Sequence, residues 1–439
     1  MREFESTFRE GLKKGLRKHH DNPRNVEGLV KCLNTKPSEG GPIPIVPVTY
    51  PITDVLGTLS WPHPQVFDVV TPAQPAKGAI DALIDTLEYD TTSGTTQALV
   101  HLADDMYAVF YKYATGAQPA KVATFEVDSD GDISTLIDSG TIMAGILDAT
   151  DEIKAVKIRE ENGSHIIAFM YNTTVLNVNV GLFSITTDGT INTTALDTLQ
   201  IVNSDDAPQD ILKVHGSLFL TFHAGPSIDS IAIGASYAMS KVDSLATLGT
   251  QGQMIHVTQD IYALVCQHTD TDGFVYTFEV DHNGNIGSAH IDSLEFDTSS
   301  CYDPRIILIS DDLYAVVYRD ASNDGWIKTF RIGSDGYISS AVIDSYEFST
   351  ECVAPEVCLV GGRVIAIAFT EYSTNDGFLK TFYIDSDGDI RAAALDSLEF
   401  DTTQALFPEV HYLGDNIIAV NYSDSYGDGR IRTIGLTTL

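Results

Sequence analysis

The sequence predicts an all-β fold, a seven-bladed β-propeller preceded by an N-terminal arm of helical and extended chain. Three observations predict it. The stretch NDGWIKTFRI, starting at Asn323, returns 52 residues later as NDGFLKTFYI, starting at Asn375. An aliphatic-Asp-Ser/Thr landmark occurs seven times, beginning at Ile84, Ile137, Leu196, Val242, Ile291, Ile343 and Leu395, with spacings of 53, 59, 46, 49, 52 and 52. Seven short apolar runs, one per repeat, complete the pattern: MYAVFY, IIAFMY, LFLTFH, IYALVC, LYAVVY, VIAIAF and IIAVNY. A period of about 40–50 residues rich in β-formers is the mark of propeller blades.

Each element follows from its residues. The apolar runs are hydrophobic on both alternating faces, as a strand covered on both sides must be. A small residue recurs in them (Ala108, Ala168, Ala263, Ala315, Ala366, Ala419), with Leu220 the exception. Crowding near a propeller axis favours such a side chain, which places these runs close to the axis. A third landmark reads Lys328-Thr329-Phe330, Lys380-Thr381-Phe382, Tyr276-Thr277-Phe278, Ala123-Thr124-Phe125 and Arg432-Thr433-Ile434. Its polar–apolar alternation predicts a more exposed strand. The intervening SDG, NDG, TDG and GDG supply the positive φ angles of tight hairpins.

The ends predict how the ring closes. The last repeat stops at Leu439 without a final Leu-Asp-Ser-Leu-Glu-Phe strand, while residues 78–90 carry an orphan copy, GAIDALIDTLEYD. A strand from the front completing the last blade removes an unpaired edge. Residues 77–439 are thus expected to form the propeller, and residues 1–76 an arm and strap.

The arm differs in charge from the body. Residues 1–36 hold nine Lys/Arg and five Asp/Glu, a balance of +4, whereas the net charge of the whole chain is −35. Phe4, Phe8, Leu12 and Leu16 recur at a spacing of four among Arg9, Lys13, Lys14, Arg17 and Lys18, the pattern of an amphipathic helix over residues 2–19. These nine side chains are expected to bind a neighbouring protein, the apolar ones as buried anchors and the basic ones as complementary charge. GGPIPIVPVTYPI after them is proline-rich and extended. The acidic body repels nucleic acid and anionic membranes, and neither is an expected partner. No apolar stretch spans a membrane, and the charged N-terminus is not a secretory signal.

Chemistry is sparse. Five scattered cysteines (Cys32, Cys266, Cys301, Cys352, Cys358) are expected to be reduced and mostly buried. DSDGD at Asp128–Asp132 and Asp385–Asp389 could offer oxygen ligands to calcium, but its repeat equivalents carry fewer carboxylates, so a hairpin turn is expected instead. SNDGW (Ser322–Trp326) approximates the Asp-box of sialidase-type propellers without its full spacing. His19 and His20 have no companion ligands, and no HExxH, GxSxG or phosphate-loop motif occurs. Phe278, Trp326, Phe330 and Phe382 are expected to pack blades. No catalysis, cofactor or metal is expected.

NPRNVEGLVKCLNTKPSEGG, followed by WPHPQVFDV at 61–69, resembles the opening of certain tailed-phage virion proteins. The repeats are similar to propellers of virus and environmental sequences. The resemblance implies a non-enzymatic neck, tail or surface component of a virion, assembled with other structural proteins in multiple copies on a symmetric particle. The alternative is a propeller that recognises a glycan or another surface ligand through its loops. Grouped exposed aromatics on one propeller face would favour that alternative.

Overall fold

A computed structural model of the chain describes residues 77–438 apart from 93, 114–118, 144–152, 174–176, 204–206 and 248. The expectations for the arm, including Phe4, Phe8, Arg9, Leu12, Lys13, Lys14, Leu16, Arg17 and Lys18, lie outside the described residues, as does Cys32.

The described residues form seven four-stranded antiparallel sheets. Blades 1 to 6 are each four strands consecutive in sequence: residues 94–143, 154–203, 208–246, 249–297, 302–349 and 353–401. Blade 7 combines the three last strands, starting at Leu406, Ile417 and Gly429, with β1 (Lys77–Asp90) from the front of the described chain. β1 runs antiparallel to the C-terminal strand, pairing Ile80 with Leu436, Leu83 with Ile434 and Leu87 with Ile431. The first strands of successive blades touch in order around the ring, and that of blade 7 touches that of blade 1.

The apolar runs are the second strand of each blade. Val364–Thr370 and Ile417–Ser423 are buried at every residue, as sheets covered on both faces require. The expectation that these runs lie closest to the axis is corrected. The axial strand is the one before: Gly94–Ala103, Lys154–Glu161, Pro208–His215, Gly249–Thr258, Tyr302–Ser310, Val353–Gly361 and Leu406–Gly414. The recurring alanine has a different neighbourhood. Ala315 pairs with Ile307 on one side and Thr329 on the other, between the axial and third strands.

The third strand is less covered than the second, with Trp326, Lys328 and Arg331 half-buried, but its threonine is fully covered. Thr124, Thr277, Thr329, Thr381 and Thr433 have no exposed surface, because each hydroxyl is spent on the next blade. Thr277 donates to the Gly336 carbonyl (2.6 Å), Thr329 to Gly388 (2.7 Å), Thr433 to Gly131 (2.6 Å) and Thr124 to Gly189 (2.7 Å). Thr381 donates to Gly78 on β1, and Ser230 plays the same part toward Gly284.

The landmark aspartate, on the fourth strand, makes the companion contact in all seven blades. Asp85, Asp138, Asp197, Asp243, Asp292, Asp344 and Asp396 accept from the backbone N–H of Ile133, Ile191, Met239, Ile286, Ile338, Ile390 and Ile80 respectively, at 2.6–2.9 Å. Each acceptor belongs to one blade and each donor to the next, so the contacts run once round the ring. A hydrogen bond to a charged group contributes about 1.5–3 kcal/mol. The sequence landmark is therefore an inter-blade clasp.

In most blades a Gly-containing hairpin, Asp-Gly or Asn-Gly, receives both contacts, whereas β1 receives those of blade 6 without one. Gly131, Gly284, Gly336 and Gly388 have φ between 84° and 104°, a region that disfavours side chains. Phe278, Phe330 and Phe382 are buried in the inter-blade cores, and Trp326 is half-buried against one of them. Cys266, Cys301 and Cys352 are free and buried, and Cys358 is free and half-buried. Among the described residues no helix is long and apolar enough to cross a membrane.

Candidate functional site: the axial channel

The axial strands enclose a cavity of about 470 Å³, lined by residues from all seven blades. Most of its charged side chains come from one position, with Gln209, His411 and Tyr412 adding polar groups elsewhere. Ala98, Lys154, Asp210, Gln253, Arg305, Glu356 and Glu409 each lie opposite the residue two beyond the alanine position of the second strand. They therefore form a single level around the axis, with two cations and three carboxylates.

Local backbone geometry sets this level. In blades 5, 6 and 7 the axial strand breaks register just before it, between Tyr302 and Arg305, Val353 and Glu356, and Leu406 and Glu409. The skipped dipeptides are Asp303-Pro304, Ala354-Pro355 and Phe407-Pro408. Proline lacks the N–H that a regular ladder would use, and such bulges re-aim the next side chain. Asp303, Ala354 and Phe407 take φ of 51°, 48° and 51°, a region uncommon for residues other than glycine.

The ring residues also clasp blades. Glu409 accepts from Leu99 N–H of blade 1 at 3.0 Å, Asp210 from Met254 N–H at 2.6 Å, and Gln253 from Ile306 N–H at 2.9 Å. Arg305 Nε donates to Glu356 between blades 5 and 6. The Asn421 side-chain amide donates to Glu409 (3.0 Å) and to Gln97 Oε1 (3.3 Å). Burial pushes the carboxyl groups of Asp210 and Glu356 up, in Glu356 despite Arg305. Burial also opposes charge on Glu409, but His411, Lys154 and Asn421 outweigh it and hold its carboxyl below the usual range.

One end of the channel carries Gln97, Lys154, Arg305, Ala354, Glu356, Phe407, Pro408 and Glu409. Leu406 pairs with Ser423, so this end also bears the turns from second to third strand. Phe407 is 44% exposed there, and Tyr372 and Tyr426, in those turns of blades 6 and 7, are 59% and 83% exposed. Tyr337, 63% exposed, belongs to a turn from third to fourth strand and hence to the opposite face.

The DSDGD turns act as hairpins. Asp128 Oδ1 accepts from its own Asp130 and Asp132 N–H groups at 2.9 and 3.0 Å. SNDGW is likewise a hairpin, in which Asp320 accepts from Ser322, Asp324 and the Trp326 indole. Among the described residues no group of three or more His, Cys, Asp or Glu could hold a metal ion. A Ser-His-Asp grouping exists in blade 3, but the Ser244 and Ser227 hydroxyls bond Asp229, as does Lys241, and neither serine bonds His223. That grouping is a structural network, not a nucleophile with its base.

No protein-family model and no curated protein matches the chain. Solved structures do. The WD40 β-propeller domain of Doa1 aligns with a TM-score of 0.51 at 12% identity, covering 82% of this chain and 97% of that one. Sqt1 from Chaetomium thermophilum aligns with a TM-score of 0.50 at 12% identity, covering 78% and 84%. The likeness is one of fold.

Sequence reasoning did not find the axial ring. A signal was present in DPRI, APEV and FPEV, a proline followed by a charge at the same place in three repeats. The sequence-derived binding residues of the arm and the axial ring share no member.

Proposed function

We propose that the chain is a non-enzymatic recognition module, a rigid propeller that binds a surface ligand through the face bearing the aromatic end of its channel. The carrying observation is that Tyr372, Phe407 and Tyr426 stand exposed on one face in the adjoining blades 6 and 7. Aromatic side chains offer large contact area at low entropic cost, and interfaces concentrate them. The regular inter-blade clasps supply the stiffness that such a platform needs.

In the same reading, residues 1–76 attach the module to a larger assembly. The preamble resembles that of tailed-phage virion proteins, which makes a virion the proposed particle and other virion structural proteins the proposed neighbours. Phe4, Phe8, Leu12 and Leu16 would anchor the arm, and Arg9, Lys13, Lys14, Arg17 and Lys18 would supply its charge.

The test of recognition is binding of the full chain to a printed array of oligosaccharides and glycoproteins. Wild type is expected to bind a subset, and the triple variant Tyr372→Ala/Phe407→Ala/Tyr426→Ala to lose it. Tyr337→Ala, on the other face, should bind as wild type. Equal binding by wild type and the triple variant would remove the aromatic face from consideration.

A further inference from the structure

We propose that the aromatic end of the axial channel takes the terminal sugar of a neutral glycan, held by Gln97, Glu409, Glu356, Lys154 and Arg305 with Phe407 as its apolar wall. The proposal rests on the recognition reading above and names its ligand class.

The first observation is an unmatched amide. Gln97 is 4% exposed and lines the channel end beside Glu409. Its Oε1 accepts from Asn421, but its Nε2 has no hydrogen-bond partner in the protein. Asn421, fully buried alongside, has an Oδ1 in the same condition. Buried polar atoms are nearly always paired, so an unpaired donor in a cavity wall marks where a guest's acceptor belongs. Donor and acceptor are both wanted in this sector, and a hydroxyl group is both.

Charge then narrows the ligand. A polyanion entering the channel would meet Asp210, Glu356 and Glu409, and burial already disfavours negative charge on two of them. A polycation would meet Lys154 and Arg305. An apolar guest would strip water from charged groups without replacing their hydrogen bonds. A neutral polyhydroxyl ring can donate to the carboxylates and accept from Gln97, Lys154 and Arg305 while adding no charge. The channel end itself holds only about 20 Å³, but it shares Lys154, Arg305, Glu356 and Glu409 with the axial cavity of about 470 Å³, which falls within the size range of small-molecule sites. Phe407, part of the same rim, presents an apolar ring to the C–H face of a sugar.

The experiment uses the full chain with methyl glycosides of glucose, galactose, mannose and N-acetylglucosamine as neutral probes, and spermidine and citrate as charged ones. Saturation-transfer NMR and calorimetric titration read binding. At least one neutral glycoside is expected to bind saturably and to weaken about tenfold or more in Gln97→Met, through loss of one hydrogen bond to a buried site. Phe407→Ala is expected to weaken it as well, and Tyr337→Ala to leave it unchanged. Thermal melts accompany each variant, and if Gln97→Met does not fold, the exposed Phe407→Ala decides. Preferential binding of spermidine or citrate overturns the proposal. So does the absence of neutral-sugar binding, or unchanged affinity in a folded Gln97→Met, which would mean water serves the amide. Array binding that depends on the aromatic trio without any neutral-sugar binding would leave the recognition reading standing and this proposal refuted.

Discussion

Asp297 ends the fourth strand of blade 4 and reaches Tyr318 and Lys328 of blade 5, the lysine at 2.8 Å. Blade 7 repeats the arrangement, with Asp401 receiving bonds from Tyr422 (2.8 Å) and Arg432 (3.0 Å). Between blades 5 and 6 the residues change together: Ser349 replaces the aspartate and Phe369 the tyrosine. A hydroxyl without its carboxylate would be buried unpaired, so the two positions are physically linked. Lys380 there keeps a bond to the Phe348 carbonyl, and burial lowers its pKa. For Asp297, burial works against the charge, but Lys328, Tyr318 and Ser299 prevail and hold the carboxyl at about 2, below its ordinary value of 3.8. The folded state therefore binds this proton more weakly than the unfolded chain. Its stabilisation, on the order of 2 kcal/mol, is present above the ordinary value and is lost as pH falls through about 2. Asp297→Asn is expected to melt below wild type at pH 6, with the gap closing between pH 4 and pH 2. A gap independent of pH would refute this account.

At the scale of the element, the Asp-Gly hairpin is the receiving half of a two-point clasp. The turn at Gly333–Tyr337 gives its Gly336 carbonyl to Thr277, and the next N–H beyond it, from Ile338, goes to Asp292. Thr277 and Asp292 are themselves cross-strand partners in blade 4. Thr277→Val removes a hydroxyl at nearly constant shape and is expected to cost about 1 kcal/mol; Asp292→Ala is expected to cost about 2. Because both hold one turn, the double variant should lose less than the sum, by about 0.5 kcal/mol or more. Denaturant unfolding measures the energies, and hydrogen exchange at the Ile338 amide reports the clasp directly. Additive losses with unchanged Ile338 protection would show that the two contacts act separately.

For the whole molecule, β1 is the piece that makes the ring continuous. It pairs with the C-terminal strand, receives Thr381 of blade 6 at Gly78, donates from Ile80 to Asp396, and presents Asp85 to Ile133 of blade 1. It thus touches the blades on both sides as well as its own. A chain beginning at Lys77 is expected to remain monodisperse and to melt within a few degrees of the full chain. One beginning at Thr91 is expected to aggregate, because an open edge templates pairing with other chains. Light scattering and thermal melts distinguish the two. A cooperative monomer lacking β1 would show that closure is dispensable.

The sequence by itself determined the repeat, the number of blades, the antiparallel hairpins and the identity of the landmark aspartate, since each depends on local periodicity and turn chemistry. The role of that aspartate was not legible. Asp396 meets Ile80 across 316 residues of chain, and only closure of the ring brings them together. The greater exposure of the third strand was legible, but the burial of its threonine was not, for a related reason: alternation signals one covered face, whereas a blade is covered on both by its neighbours. Arg305, Glu356 and Glu409 could be grouped by the proline before each, but Ala98, Lys154, Asp210 and Gln253 share neither that proline nor a common residue type. All seven form one level because seven bulged strands converge on one axis. That convergence is a property of the tertiary structure alone, as is the placing of Tyr372, Phe407 and Tyr426 on a single face.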